Sequence, residues 1–229
     1  MFIIVFIYGI LYIVFIINGE KGYMKMKHIF VLCIVFLFLI SCQKKANMVN
    51  DFEYTENEGK ITITGYIGKS SDVVIPQKIN NVSVTAIGNK AFIGVDEGID
   101  RPKNNQLSSV YIPDGVTEIG HLAFYGNELS SAIIPDTVTF IGDGAFSLNK
   151  LTSIAIPKSV TSIGGGAFAS NQLTSVTIPK SVTSIGMYAF INNQLTNVNI
   201  PKSVKEFTNA QFRRFPDDVF DEGVQIIME

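Results

Sequence analysis

The apolar and polar positions of this chain repeat with a period of 22 residues between Leu107 and Phe212. Each repeat follows the plan Leu-x-x-Val-x-Ile-Pro-x-x-Val-x-x-Ile-Gly-x-x-Ala-Phe-x-x-Asn-x. The five repeats begin at Leu107, Leu129, Leu151, Leu173 and Leu195. An altered copy runs from Val73 to Phe92. A fixed period of this length is the sequence signature of a solenoid in which each repeat forms one coil.

Each repeat contains two short extended segments and one large ring. In the repeat that begins at Leu151, alternate apolar side chains point inward until Pro157, which has no amide hydrogen for a strand ladder. The second segment ends at Gly164, and Phe168 then returns a ring to the core. Burial within one coil does not offset the entropy of ordering it, so the coils must stack. The sequence predicts a mainly β solenoid of about six coils over residues 73–212, with stacked phenylalanines and a ladder of asparagine side chains.

Shorter patterns predict a cap at each end of the array. Residues 51–72 contain two β-like runs around the turn Glu56-Asn57-Glu58-Gly59, which predicts an N-terminal β-hairpin cap. Residues 94–103 are an insertion before the first regular repeat and predict a loop. The plan decays after Phe207, and we interpret residues 213–229 as a short C-terminal cap.

The segment before the repeats carries an export signal. Lys25 and Lys27 precede an apolar run over residues 30–40, which is typical of a signal peptide. The run ends in Leu39-Ile40-Ser41-Cys42, which resembles the lipobox of bacterial lipoproteins. That resemblance implies a signal peptide over residues 24–41, acylation of Cys42, and a tether over residues 42–50. We therefore expect an exported protein that is lipid-anchored to the bacterial cell envelope and exposed at the cell surface.

Two explanations of the apolar extension over residues 1–23 stay open. In the first, the start codon is assigned too early, and translation begins at Met24 or Met26. In the second, the extension is a membrane helix followed by a short, positively charged cytoplasmic loop. Both explanations export everything after Cys42.

Composition excludes several kinds of chemistry. After Cys42 the chain has 15 basic and 19 acidic side chains, a net charge of −4, without a basic cluster for nucleic acid. That segment has one histidine, His121, and no cysteine, which excludes a Cys/His zinc site, a disulfide framework and a cysteine nucleophile. His121 stands at a variable turn position, where we expect a surface residue without a nucleophile beside it. We expect no enzyme activity, no metal and no cofactor.

The repeats resemble a known family. Residues 173–194 begin Leu-Thr-Ser-Val-Thr-Ile-Pro-Lys-Ser-Val-Thr-Ser-Ile-Gly and end Ala-Phe-Ile-Asn-Asn-Gln, which is similar to the BspA-type leucine-rich repeats of bacterial surface proteins. The resemblance covers about residues 52–212. It implies a leucine-rich-repeat solenoid that binds proteins, with adhesion to host matrix or other cells as the expected function and no catalysis. The alternative is a passive structural or accessory envelope lipoprotein that binds a partner of the same cell.

The third and fifth residues of each repeat form outward columns, because side chains alternate along a strand. Tyr111 beside Ile133 is the most anchor-like part of these columns, with Ser109 and Ser131 next to them. These four residues are the candidate partner-binding residues for a protein ligand. The competing interpretation is a solvated sheet without a partner.

The residue after each proline forms a further surface column. It is acidic at Asp114 and Asp136, and basic at Lys158, Lys180 and Lys202. The three lysines are candidate electrostatic contacts with an acidic partner, or else solvated edge residues. We expect a monomer that binds a protein ligand and meets the membrane through lipidated Cys42.

Overall fold

The computed structural model describes residues 2–7, 10–17, 20–23, 47–94, 106–208 and 219–228. The chain divides into two compact units, Met1–Lys45 and Ala46–Glu229. In the first unit, the strands β1 (Phe2–Ile7), β2 (Ile10–Ile17) and β3 (Glu20–Tyr23) form an antiparallel sheet in chain order.

The strands of the first unit differ from the membrane helix considered for residues 1–23. The segment is rich in Ile, Val, Phe and Tyr, whose β-branched and aromatic side chains favour strands. Across the described ranges, the structure has no helix that is long and apolar enough to cross a membrane. The predicted signal peptide and Cys42 lie outside the described residues.

The second unit consists of short strands with little other regular structure. It contains a turn of 3-10 helix, Val49–Asp51, and the strands β4 (Phe52–Asn57), β5 (Lys60–Tyr66), β6 (Asp72–Val74), β7 (Lys78–Ile79), β8 (Val82–Ile87), β9 (Ser109–Tyr111), β10 (Glu118–Ile119), β11 (Ser131–Ile133), β12 (Phe140–Ile141), β13 (Ser162–Ile163), β14 (Ser184–Gly186), β15 (Asn197–Ile200), β16 (Glu206–Thr208) and β17 (Gln225–Met228).

The predicted N-terminal hairpin is confirmed. β4 and β5 pair antiparallel around a two-residue turn. Glu58 and Gly59 in this turn have φ of 50° and 68°, the left-handed conformation that a tight hairpin requires. Tyr66 at the end of β5 stacks on Phe92 with a centroid distance of 5.7 Å, which covers the first ring of the core. Burial raises the pKa of the Tyr66 phenol above its ordinary value.

The hairpin is followed by a solenoid whose coils we number by their residues. Coil 1 is 70–94, coil 2 is 107–128, coil 3 is 129–150, coil 4 is 151–172, coil 5 is 173–194, and the described part of coil 6 is 195–208. Of the predicted loop over residues 94–103, only Gly94 is among the described residues.

One side of the solenoid is a continuous sheet, which we call the long sheet. Its nine strands follow the order β16-β14-β13-β12-β10-β8-β5-β4, with β7 also on β8, and the strands of successive coils pair in parallel. The glycine at the end of each long-sheet segment lets neighbouring coils approach closely. A Cβ on Gly164 would lie 2.5 Å from the backbone nitrogen of Asp143 in coil 3. The long sheet therefore joins every coil without a break.

The opposite side, which we call the front face, consists of residues 72–74, 109–111, 131–133, 153–155, 175–177 and 197–199. Here β6, β9 and β11 form a parallel sheet over coils 1 to 3, and β15 pairs in parallel with β17 at the other end. Residues 153–155 and 175–177 between these two sheets form no strand. The strand pairing of the front face is therefore interrupted in coils 4 and 5.

Phenylalanine rings form the centre of the core, as predicted. Successive rings stack at centroid distances of 4.9–5.5 Å, and their planes lie within 17° of each other. The stack consists of Phe92, Phe124, Phe146, Phe168, Phe190 and Phe220. All six side chains are buried, so the ring column passes through the whole array.

The predicted asparagine ladder is also confirmed. Asn149 Oδ1 accepts a hydrogen bond from the Leu129 N–H at 3.0 Å, which closes its own coil. Its Nδ2 donates to the carbonyl oxygens of Phe124 and Phe146 at 2.9 and 3.1 Å, one in the preceding coil and one in its own. Asn127, Asn171 and Asn193 make the corresponding bonds. The amides thus satisfy backbone groups that the turns would otherwise leave buried and unpaired.

The C-terminal cap departs from the period of the repeats. Phe220 stacks on Phe190 at 5.4 Å, in the place where the period predicts Phe212. Val219 accepts the Phe190 N–H at 3.0 Å and is buried. Gln211 stands where the plan has a buried alanine, and burial of its amide without partners is costly. Phe212 itself lies outside the described residues.

Candidate functional site

The structure brings the four predicted partner-binding residues together on the front face. β9 and β11 pair in a register that places Ser131 beside Ser109 and Ile133 beside Tyr111. Ile133 is 62% exposed and Tyr111 is 38% exposed, although both lie within a paired sheet. An aromatic and a β-branched side chain side by side form a favourable cross-strand pair and a rigid apolar surface.

Ser109 differs from the other three residues because its hydroxyl already has a partner. It hydrogen-bonds the carboxylate of Asp72 on the neighbouring strand, and the Ser108 hydroxyl lies 3.3 Å from the same oxygen. The sequence interpretation missed Asp72. Its position four residues before Pro76 places it in the same column as Ser109, four residues before Pro113, and this signal is present in the sequence.

A small depression lies beside Tyr111 at the end of the strand. Its volume is about 210 Å³, and its lining includes Pro76, Gln77, Tyr111, Pro113 and Asp114. The apolar pair therefore has a polar and acidic edge on one side. This combination of an apolar centre and a polar rim is typical of protein-binding surfaces.

The lysine column lies at the other end of the front face. Lys158, Lys180 and Lys202 are all exposed, and none forms an ion pair within the described part of the chain. Lys158 and Lys180 line a cleft of about 860 Å³ in the front face. Lys180 and Lys202 line a neighbouring depression of about 340 Å³. The structure therefore separates the apolar candidates in coils 2 and 3 from the basic candidates in coils 4 to 6.

Comparison with known proteins agrees with the repeat plan. Residues 103–216 match the BspA type Leucine rich repeat region in six copies. The chain belongs to the BspA-type leucine-rich repeat family. No curated protein matches it.

Solved structures of leucine-rich repeat proteins share its fold. The leucine-rich repeat protein of T. pallidum is 28% identical, with a TM-score of 0.60, over 71% of this chain and 81% of that one. The pneumococcal vaccine antigen PcpA is 25% identical, with a TM-score of 0.61, over 80% of this chain and 49% of that one. A leucine rich cell surface protein from Faecalibacterium prausnitzii is 29% identical, with a TM-score of 0.52, over 73% of this chain and 51% of that one. This chain therefore spans about half the length of the latter two proteins.

The single histidine of the BspA-type array lies on its surface, as predicted. His121 Nδ1 accepts the Asp143 N–H at 3.1 Å and lies 3.2 Å from Asp143 Oδ2. Asn89 and Asp143 accept backbone N–H groups of the following coil in the same way, at 2.8 and 2.7 Å. His121 is therefore one of a row of turn side chains, each of which accepts a backbone N–H of the following coil. Within the described residues, no group of three His, Cys, Asp or Glu side chains is placed to hold a metal ion.

Proposed function

We propose that this chain is a cell-envelope lipoprotein whose BspA-type array binds proteins, with adhesion to host matrix or other cells as its function. The observation that carries the proposal is the exposed pair Tyr111 and Ile133 on a paired, parallel sheet. A solenoid presents one residue per coil in a row, so several modest contacts add up without a deep pocket. The rigid strands keep the entropy lost on binding low.

The sequence before the array supports the envelope location. The motif Leu39-Ile40-Ser41-Cys42 follows a charged and apolar lead. Acylation of Cys42 with two or more chains would hold the array at the membrane. The F. prausnitzii protein with the same fold is described as a cell surface protein.

Surface plasmon resonance of the 43–229 fragment against matrix proteins tests the binding surface. The double variant Tyr111→Ala with Ile133→Ser is expected to weaken binding by about tenfold or more, since it removes the apolar centre. The matched control is Ser153→Ala with Ala155→Ser, which changes the same two columns in coil 4 and leaves affinity unchanged. Equal affinity of the Tyr111/Ile133 variant and the wild type for a confirmed matrix partner contradicts this surface.

Two observations on cells separate adhesion from the accessory role. Cys42→Ala is expected to abolish fatty-acid labelling and leave an uncleaved precursor, and equal labelling of both forms contradicts the lipoprotein. Protease added to intact cells should cleave the repeats of an adhesin. Repeats that stay protected on intact cells, together with no matrix partner, favour an accessory lipoprotein that binds a partner of the same cell.

A further inference from the structure

A row of lysines crosses coils 4 to 6 at the end of the front face. Lys158, Lys180 and Lys202 occupy the same position of successive coils, directly after the proline. All three are exposed, and in the described part of the chain none has an acidic partner. The rings of Phe168 and Phe190 stack at 5.4 Å, which sets the step from coil 4 to coil 5. The row therefore presents evenly spaced cations to a ligand.

The lysines line one groove. A cleft of about 860 Å³ is lined by Lys158 and Lys180, and a depression of about 340 Å³ by Lys180 and Lys202. The two share Lys180 and Pro201, so together they form a groove that crosses coils 4 to 6. No carboxylate is among the described residues that line it. A ligand with carboxylates would therefore meet cations without meeting a like charge.

The backbone of the groove offers no edge for a strand. In coils 4 to 6 the front face is open: among the described residues, no backbone hydrogen bond crosses between residues 153–156, 175–178 and 197–200. These segments nevertheless follow one another at the coil spacing, and β17 pairs with the last of them. Neighbouring strands are already about this far apart in a sheet, so no further strand fits between them. A ligand must contact the groove through side chains.

The outward side chains around the groove are small, mostly polar and exposed. They are Ser153, Ala155, Ser175, Thr177, Asn197 and Asn199. The four in coils 5 and 6 line the cleft. A protein partner would need an aromatic or large apolar anchor, such as Tyr111 and Ile133 provide in coils 2 and 3, and none of these six residues provides one. Hydroxyl and amide groups instead suit a ligand that is rich in hydroxyl groups.

We propose that this groove binds a linear acidic polysaccharide with one anionic group on each sugar, aligned along coils 4 to 6. A sugar unit of an extended chain is about as long as one coil spacing, so the charges of the ligand keep step with the lysines. The flexible stem of lysine lets each ammonium reach a carboxylate on either edge of the chain. Sugar hydroxyls bond the hydroxyl and amide side chains. The site lies apart from Tyr111 and Ile133 and does not depend on their proposed role.

Acidic residues limit the length of this site. The position of the lysines is occupied by the exposed Asp114 and Asp136 in coils 2 and 3. Their carboxylates repel a polyanion, which confines it to coils 4 to 6. Asp136 stands one coil before Lys158, so a lysine at this position would lengthen the row by one coil.

Fluorescence anisotropy tests the proposal on the full-length protein in a non-ionic detergent. The probe is a fluorescein-labelled hexamer of galacturonic acid. One comparison ligand is the same hexamer with methyl-esterified carboxyl groups, which keeps the sugars and removes the charge. The other is a labelled peptide of six glutamates, which keeps the charge and removes the sugars. We expect the probe to bind and both comparison ligands to bind at least about tenfold more weakly, since each lacks one of the two kinds of contact.

Loss of lysines locates the binding site. Lys180→Ser with Lys202→Ser is expected to weaken binding of the probe about tenfold. The matched control is Lys60→Ser with Lys205→Ser, which removes two exposed lysines outside the groove and should change affinity less than about twofold. Circular dichroism of each variant confirms that it is folded.

A gain of charge gives the opposite test. Asp136→Lys is expected to strengthen binding about threefold or more, because it adds a cation in line with the row. Glu118→Lys makes the same change of net charge on the exposed outer side of the long sheet, and should change affinity less than about twofold. Tyr111→Ala with Ile133→Ser should leave probe binding unchanged, so the two proposed sites fail separately.

Four results would overturn the proposal. No binding of the probe to folded wild-type protein contradicts a polysaccharide site in the groove. Equal binding of the esterified hexamer shows that the lysines do not recognise the charge. Equal binding of the glutamate peptide shows that the groove selects charge alone and takes an acidic protein segment. Equal changes in Asp136→Lys and Glu118→Lys show unspecific attraction to positive charge.

Discussion

The two halves of the front face have the same interior plan but different backbone pairing. In coils 1 to 3 the strands pair in register, and Tyr111 and Ile133 lie side by side on the outer surface. In coils 4 and 5 the corresponding residues, 153–155 and 175–177, form no strand, and outward Ala155 and Thr177 replace those two residues. An aromatic and β-branched pair stabilises a sheet, whereas alanine has a low preference for strands. The outward Tyr111 and Ile133 therefore favour strand pairing in coils 2 and 3.

Three features keep the coils stacked in both halves. The long sheet, the phenylalanine column and the asparagine ladder continue through coils 4 and 5, where the front face is open. The spacing of the coils is thus set by the core and the long sheet. The backbone pairing on the front face can therefore differ from coil to coil. This difference allows one array to carry two different surfaces.

The largest expected effect comes from the core that both halves share. Phe168 packs between Phe146 and Phe190 at 5.5 and 5.4 Å, so Phe168→Ala should lower the free energy of unfolding by about 3–5 kcal/mol. His121→Ala is the surface comparison and should cost about 0.5 kcal/mol, since its pairing with Asp143 is exposed to solvent. Chemical denaturation measures both. Comparable losses would mean that the inward and outward columns are assigned wrongly.

The asparagine ladder should contribute equally to the free energy of unfolding in both halves. Asn149→Ala and Asn171→Ala each leave a leucine N–H without its side-chain acceptor, and each removes one of the two amide donors of two phenylalanine carbonyls. Each substitution should cost about 2–4 kcal/mol, because buried polar groups lose their bonds. A cost at Asn171 that is far below the cost at Asn149 would show that the opening of the front face also loosens the core.

A smaller effect on stability should differ between coil 4 and coil 5. Ser159→Ala removes a hydroxyl that donates to the Val138 carbonyl, and should cost about 1 kcal/mol. Ser181→Ala removes a buried hydroxyl that has no hydrogen-bond partner among the described residues, and should be neutral or slightly stabilising. Thermal unfolding of the two variants beside wild type measures the difference. Equal destabilisation would show that Ser181 makes the same bond as Ser159.

The interior of the array could be predicted from the sequence, because burial assigns each position of the 22-residue plan one role. The positions of the Phe168 ring and the Asn171 amide follow from that plan. The break in the front face could not be predicted in the same way, since coils 4 and 5 keep the inward pattern of coils 2 and 3. Phe220 was missed because the period places a ring at Phe212. Asp72 was missed because coil 1 lacks the leucine that marks the start of the other repeats.

The two halves of the front face differ in the pairing of their backbone amides. Hydrogen exchange followed by NMR reports this pairing residue by residue. Amides of residues 175–178 should exchange about 100-fold faster than the paired amides of β9 and β11, while β13 and β14 in the long sheet stay protected. Protection of residues 175–178 equal to that of β9 and β11 would contradict an open front face, and with it the difference between the two halves.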